Sequence, residues 1–160
     1  MKNIFKILPL LFFIGACSSI GAVGSTHEHS TFKVYLSDSM LDFKQAKYMV
    51  RSQHVHIEGG DGDTIHKHAT GITLGYFFNT LGYKFDNNCF VTDNTESYCN
   101  DGDKTLKFYV NGIINTEYNN HIIKDGDKYL ISYGNDSEID IQKQIASIKE
   151  ITVSAMGAKE

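Results

Sequence analysis

Apolar and polar positions along this chain fall into short runs whose periods predict its elements. Phe32 to Ser37 alternates and reads as a first strand, with a turn near Asp38 and Ser39 and a short return strand at Leu41 to Phe43. Gln45 to Val50 suits either a helical turn or a continuation. Two further alternating runs, His54 to Ile57 and Ile65 to His68, flank a glycine- and aspartate-rich stretch between Glu58 and Thr64 and read as a hairpin. From Ile72 to Gly82 the period changes: Thr73 offers a cap, Leu74, Phe77, Phe78 and Leu81 share one helical face, and a glycine ends the run. This is the main helix. Leu106 to Val110 and Tyr129 to Tyr133 read as core strands, and Asn111-Gly112 is a two-residue hairpin turn. Leu74, Phe77, Leu81, Phe108, Val110, Leu130 and Ile131 are the expected core. Beyond Asp136 the chain turns polar, with Ile139, Ile141, Ile145, Ile148 and Ile151 in a partly helical series. That tail is expected to dock on the domain; its competing use is as a surface for a protein partner. The pattern predicts an α+β fold.

Residues 1–16 have the form of a secretory signal: basic Lys2 and Lys6, an apolar run from Ile7 to Ile14, and small Gly15-Ala16. The apolar run is too short for a conventional membrane span. Ile14-Gly15-Ala16-Cys17 matches a bacterial lipobox, which makes Cys17 a candidate for lipidation, the membrane the expected partner and the cell envelope the expected location. Cleavage after Ala22-Val23-Gly24, giving a secreted or periplasmic protein, is the alternative. Residues 17–31 then read as a tether, 32–134 as the domain and 135–160 as the tail. Loss of the two leader lysines takes the net charge from −4 to −6, and no basic patch is present, so nucleic acid is excluded as an expected partner.

With Cys17 lipidated, Cys89 and Cys99 remain, and an oxidising compartment favours a structural disulfide between them. A metal thiolate role competes with it, and no Cys-x-x-Cys supports redox chemistry. Asp-Gly-Asp occurs three times, from Asp61, Asp101 and Asp125, each shortly before a strand. Without EF-hand spacing or a terminal glutamate, these are turns rather than calcium loops.

The candidate chemistry lies in the hairpin. In a strand, residues two apart share a face, so His54 with His56, and His66 with His68, present their rings together. A loop over Gly59 to Asp63, centred on Asp61, sets His56 opposite His66 and His54 opposite His68. Val55, Ile57 and Ile65 then face a core. Four imidazoles on one face suit a transition metal, copper or zinc first and nickel as well. A shift of register by one residue would separate the pairs. The competing uses of the histidines are pH sensing and plain solvent exposure. His27 and His29, on the tether, and Glu58, in the loop, are accessory candidates.

From Thr73 to Gly134 the order of motifs resembles the β-grasp sulfur-carrier proteins of thiamine and molybdopterin biosynthesis. The similarity rests on the helix with Thr73, Leu74, Phe77, Phe78, Leu81 and Gly82, a strand ending in Val110-Asn111-Gly112, and Lys124-Asp125-Gly126-Asp127 before the last strand. It implies a ubiquitin-like mixed sheet with one helix across it, Phe32 to Phe43 supplying the first hairpin and the histidine hairpin an insertion. Those carriers act through a C-terminal Gly-Gly, whereas Tyr133-Gly134 here continues into Asn135, so the resemblance does not extend to their chemistry. The histidine ribbon and helix are also loosely similar to exported archaeal and bacterial proteins with no assigned activity.

The function expected from these features is capture or delivery of a transition metal by an exported, lipid-anchored protein, not catalysis. Two alternatives stand beside it. One is a β-grasp adhesion or assembly module independent of metal. The other is a small metal enzyme with three histidine ligands and Glu58 as acid or base, for which His121 is a further candidate ligand.

Overall fold

A computed structural model describes residues 19–151. The stretch read as a secretory signal and Cys17, the expected lipidation site, lie outside the described residues, as does the end of the tail. In chain order the elements are β1 (Glu28–Leu36), β2 (Ser39–Met40), β3 (Val55–His56), β4 (Thr64–Lys67), α1 (Leu74–Thr80), β5 (Lys84–Phe85), β6 (Cys89–Val91), β7 (Ser97–Cys99), β8 (Thr105–Val110), β9 (Ile113–Ile114), β10 (Lys128–Gly134) and α2 (Glu138–Ala146), with 3₁₀ turns at Ala46–Tyr48 and Tyr118–Asn120. The fold is α+β.

The principal sheet runs β3-β4-β1-β10-β8-β9, with β2 also pairing β1. Its centre is the parallel pair β1 and β10, with Phe32 beside Tyr129 and Val34 beside Ile131, and every other pairing in the sheet is antiparallel. Strand alternation sorts the residues of this pair onto two faces. Phe32, Val34, Leu36, Tyr129 and Ile131 point to one side and are buried beneath α1. The Thr73 hydroxyl accepts from the Tyr76 amide at 3.2 Å and starts that helix, whose Phe77 and Phe78 rings meet Phe32 edge-on. Phe43, Tyr48, Tyr83, Phe85, Phe90 and Phe108 extend this aromatic core.

The second sheet, β5-β6-β7, is small and stapled: Cys89 and Cys99 stand directly opposite each other and are joined by a disulfide. The Asn111-Gly112 turn forms as expected, both residues having positive φ, of 52° and 80°, which suits a two-residue hairpin.

α2 covers the opposite face of the principal sheet. Ser137 caps it, Glu138 and Asp140 sit in its first turn where the helix dipole favours acids, and Ile141, Ile145 and Ile148 pack on Leu130. The described part of the tail therefore docks. Leu130 is buried as expected, but under α2 rather than α1.

Four expectations are corrected. Val110 is only half-buried, because it ends β8 at the rim of the core. The first strand begins at Glu28, not Phe32, so the described end of the tether is structured: Gly21 and Gly24 donate backbone hydrogen bonds to Thr70 and His68. The return strand after Ser37 and Asp38 is only two residues long, and β4 takes the place beside β1 that a longer return strand would have filled. The histidine hairpin is consequently part of the sheet rather than an insertion on it, with Val55, Ile57 and Ile65 fully buried.

Candidate metal centre

The hairpin register is the one centred on Asp61. Val55 pairs with Lys67 and His56 with His66, and the His68 amide donates to the His54 carbonyl at 2.8 Å. Its turn needs glycine: Gly59 and Gly60 have φ of 63° and 73°, and the Asp61 amide closes the turn on the Glu58 carbonyl. The Asp61 carboxylate then accepts from the Asp63 amide and the Thr64 hydroxyl, locking the approach to β4.

β1 adds a third strand to this ribbon. His29 lies opposite His66, so His56, His66 and His29 form one row across three strands. Continuing the same registers sets His68 beside His27 on the face that α2 shares, with His54 just outside β3 at the edge of the sheet. The backbone at His29 is held from the far side by the third Asp-Gly-Asp turn: its amide donates to the Asp125 carboxylate at 2.8 Å, and its carbonyl accepts from Gly126.

Five of these six rings meet. The His27 ring is 4.8 Å from His29 and 4.9 Å from His68, His29 is 4.6 Å from His66, and His56 is 5.0 Å from His68. His27, His29 and His66 can each offer one nitrogen within 4.8 Å of the others, a group able to hold a metal ion. Binding at about 2.0–2.1 Å would draw the rings further together. His54 is not in this group: its ring turns toward Tyr76, 6.3 Å away. The four-histidine set expected from the hairpin is thus regrouped by β1, which brings His27 and His29 in beside His66. Glu58 reaches between two rings, 3.3 Å from His56 Nε2 and 3.6 Å from His66 Nδ1.

Burial and crowding favour the neutral, metal-competent form at His29, His66 and His68. Burial pushes the His66 ring down to about 4, against the pull of the Glu58 carboxylate. Burial also lowers His29, with His27 adding to the effect, and lowers His68, with His56 and His27 adding to it. A neutral imidazole presents a lone pair to a cation without first shedding a proton. A cavity of about 190 Å³ opens beside His29 and His66 and is bounded by Asp61, Thr64, Lys149, Glu150 and Ile151. Lys149 forms an ion pair with Asp61, and its carbonyl accepts from the Thr31 hydroxyl.

The signal that would have found His27 and His29 was the alternation itself. Carried back from Phe32, Val34 and Leu36, it places the odd-numbered residues of β1 on the face opposite the core. His121, the further enzyme candidate, is buried on the other side, against Phe108 and Tyr129, with its Nδ1 2.5 Å from Glu117. It cannot join the cluster across the sheet.

No family model matches this chain, and comparisons with curated proteins and with solved structures give no match. Among the described residues, no helix is long and apolar enough to cross a membrane. The Cys89–Cys99 disulfide fits an oxidising compartment.

Proposed function

We propose that this protein captures or delivers a transition metal outside the cytoplasm, holding it on the histidine face of its central sheet. The observation that carries the proposal is the grouping of His29 on β1, His66 on β4 and His27 just before β1, with nitrogens close enough to share an ion. Imidazole donors suit copper, zinc and nickel, with copper favoured by affinity order. The leader and Cys17 support export and a lipid anchor, and the central parallel pair crossed by one helix supports a β-grasp-like scaffold. A site held on a rigid sheet, with neighbouring histidines to pass an ion along, suits carriage better than turnover.

Titration of untagged mature protein with zinc and with copper tests this. Wild type should bind at least one ion, and replacing His27, His29 and His66 together by alanine should reduce affinity at least about tenfold. Wild-type binding no tighter than that of the triple variant would overturn the proposal and favour the metal-independent adhesion module.

A further inference from the structure

A single tetrahedral ion takes four donors, roughly 3.3 Å apart when each bond is about 2.0–2.1 Å. The histidine face offers more than that, spread more widely. Its five rings form a closed circuit from His27 to His29, His66, His56, His68 and back to His27, and the His66–His56 step is the longest at 5.9 Å. With His27, His29 and His66 assigned to one ion, His56, His68 and Glu58 remain as a second set of donors, less tightly drawn together than the first.

His56 is the fixed point of that group. Its side chain is only 10% exposed, and its Nδ1 lies 2.8 Å from the Ser52 carbonyl oxygen. A carbonyl can only accept, so Nδ1 carries the hydrogen, and in the neutral ring the lone pair lies on Nε2. That lone pair faces Glu58 Oε2 at 3.3 Å. In that neutral form two acceptors face each other at this distance, and a cation placed at both, a metal ion or a proton, resolves the conflict. A ring tied through Nδ1 to a backbone carbonyl, with Nε2 free, is also how metal-binding histidines are commonly oriented. His68 adjoins His56, ring to ring at 5.0 Å, on the same face.

We propose that the histidine face holds two divalent transition-metal cations, one at His27, His29 and His66 and a second at His56, His68 and Glu58. The inference rests on the metal-binding function proposed above. Glu58 Oε1 also lies 3.6 Å from His66 Nδ1, so the carboxylate stands between the two groups and offsets the repulsion of two nearby cations.

Zinc stoichiometry decides it, measured by calorimetry and elemental analysis on untagged mature protein. Wild type should take two zinc ions per chain. Glu58→Gln, at a half-exposed loop side chain, should weaken one of the two steps about tenfold and leave the other within about twofold. His56→Ala should leave one ion, and His29→Ala should remove the opposite step; circular dichroism of each variant checks that the fold is kept. One ion in wild type, with affinity unchanged by Glu58→Gln and His56→Ala, overturns the second site and leaves the first standing. That is also the outcome if a proton alone bridges His56 and Glu58. No ion in wild type overturns both.

Discussion

His29 stands directly opposite His66 on adjacent antiparallel strands, with ring centroids 4.6 Å apart, although 37 positions separate them in the chain. The pair is therefore a product of strand pairing, and its geometry is as rigid as the sheet.

That rigidity yields a ranking of variants. His29→Ala and His66→Ala should each weaken metal binding at least about tenfold, the scale on which even supporting residues of metal sites act. His54→Ala should leave affinity within about twofold, because its ring lies against Tyr76. Equal losses at His54 and His66 in parallel zinc titrations would show that the hairpin alone makes the site.

Acid should destabilise the metal-free protein in a particular window. The His66 ring is held at about 4, below its ordinary 6.5, so the unfolded chain takes up its proton first as pH falls. His29 and His68 are lowered as well and act in the same direction. The stability contributed by the neutral His66 ring is complete above pH 6.5 and is lost between there and about 4. Melting temperatures of metal-free wild type and His66→Asn, compared from pH 7.5 to 4, measure it. The wild type should show the steeper decline.

Core packing sets a second expectation. Phe77 is fully buried and meets Phe32 and Phe78, so Phe77→Ala should cost about 3–5 kcal/mol in urea unfolding. Val110→Ala, at the rim, should cost distinctly less.

The disulfide should be complete in protein taken from an oxidising compartment, with no free thiol at Cys89 or Cys99 under denaturing labelling. Closing so short a loop stabilises by about 3 kcal/mol on the chain-entropy model. Cys89→Ala with Cys99→Ala should therefore lower the unfolding midpoint while leaving metal affinity unchanged, since β5-β6-β7 is a separate sheet.

The reading of residues 14–17 as a lipobox makes its own prediction. Cys17→Ser should move the protein from the membrane to the soluble fraction, because a lipidated terminus anchors far more firmly than a weak surface contact. An unchanged distribution on cell fractionation would reject the anchor.

What the sequence by itself determined here was local. Alternation with a glycine-rich turn specified the hairpin and its register, since a slip of one residue would have buried histidine and exposed Val55, Ile57 and Ile65. The helical spacing of Leu74, Phe77 and Phe78 specified α1 and the face it buries, and the two remaining cysteines specified their own partner. Tertiary structure decided what lies beside the hairpin. Nothing near His27 or His29 states that β1 will pair with β4 rather than with a long return strand, because that choice depends on which arrangement buries Phe32, Val34 and Ile65 under one helix. The same choice turned the end of a stretch that reads as a tether, from Glu28 on, into the start of the first strand and regrouped the histidines of three separate His-x-His motifs. Local patterns are set by backbone geometry over a few residues, whereas the histidine cluster arises from a long-range competition between alternative strand neighbours.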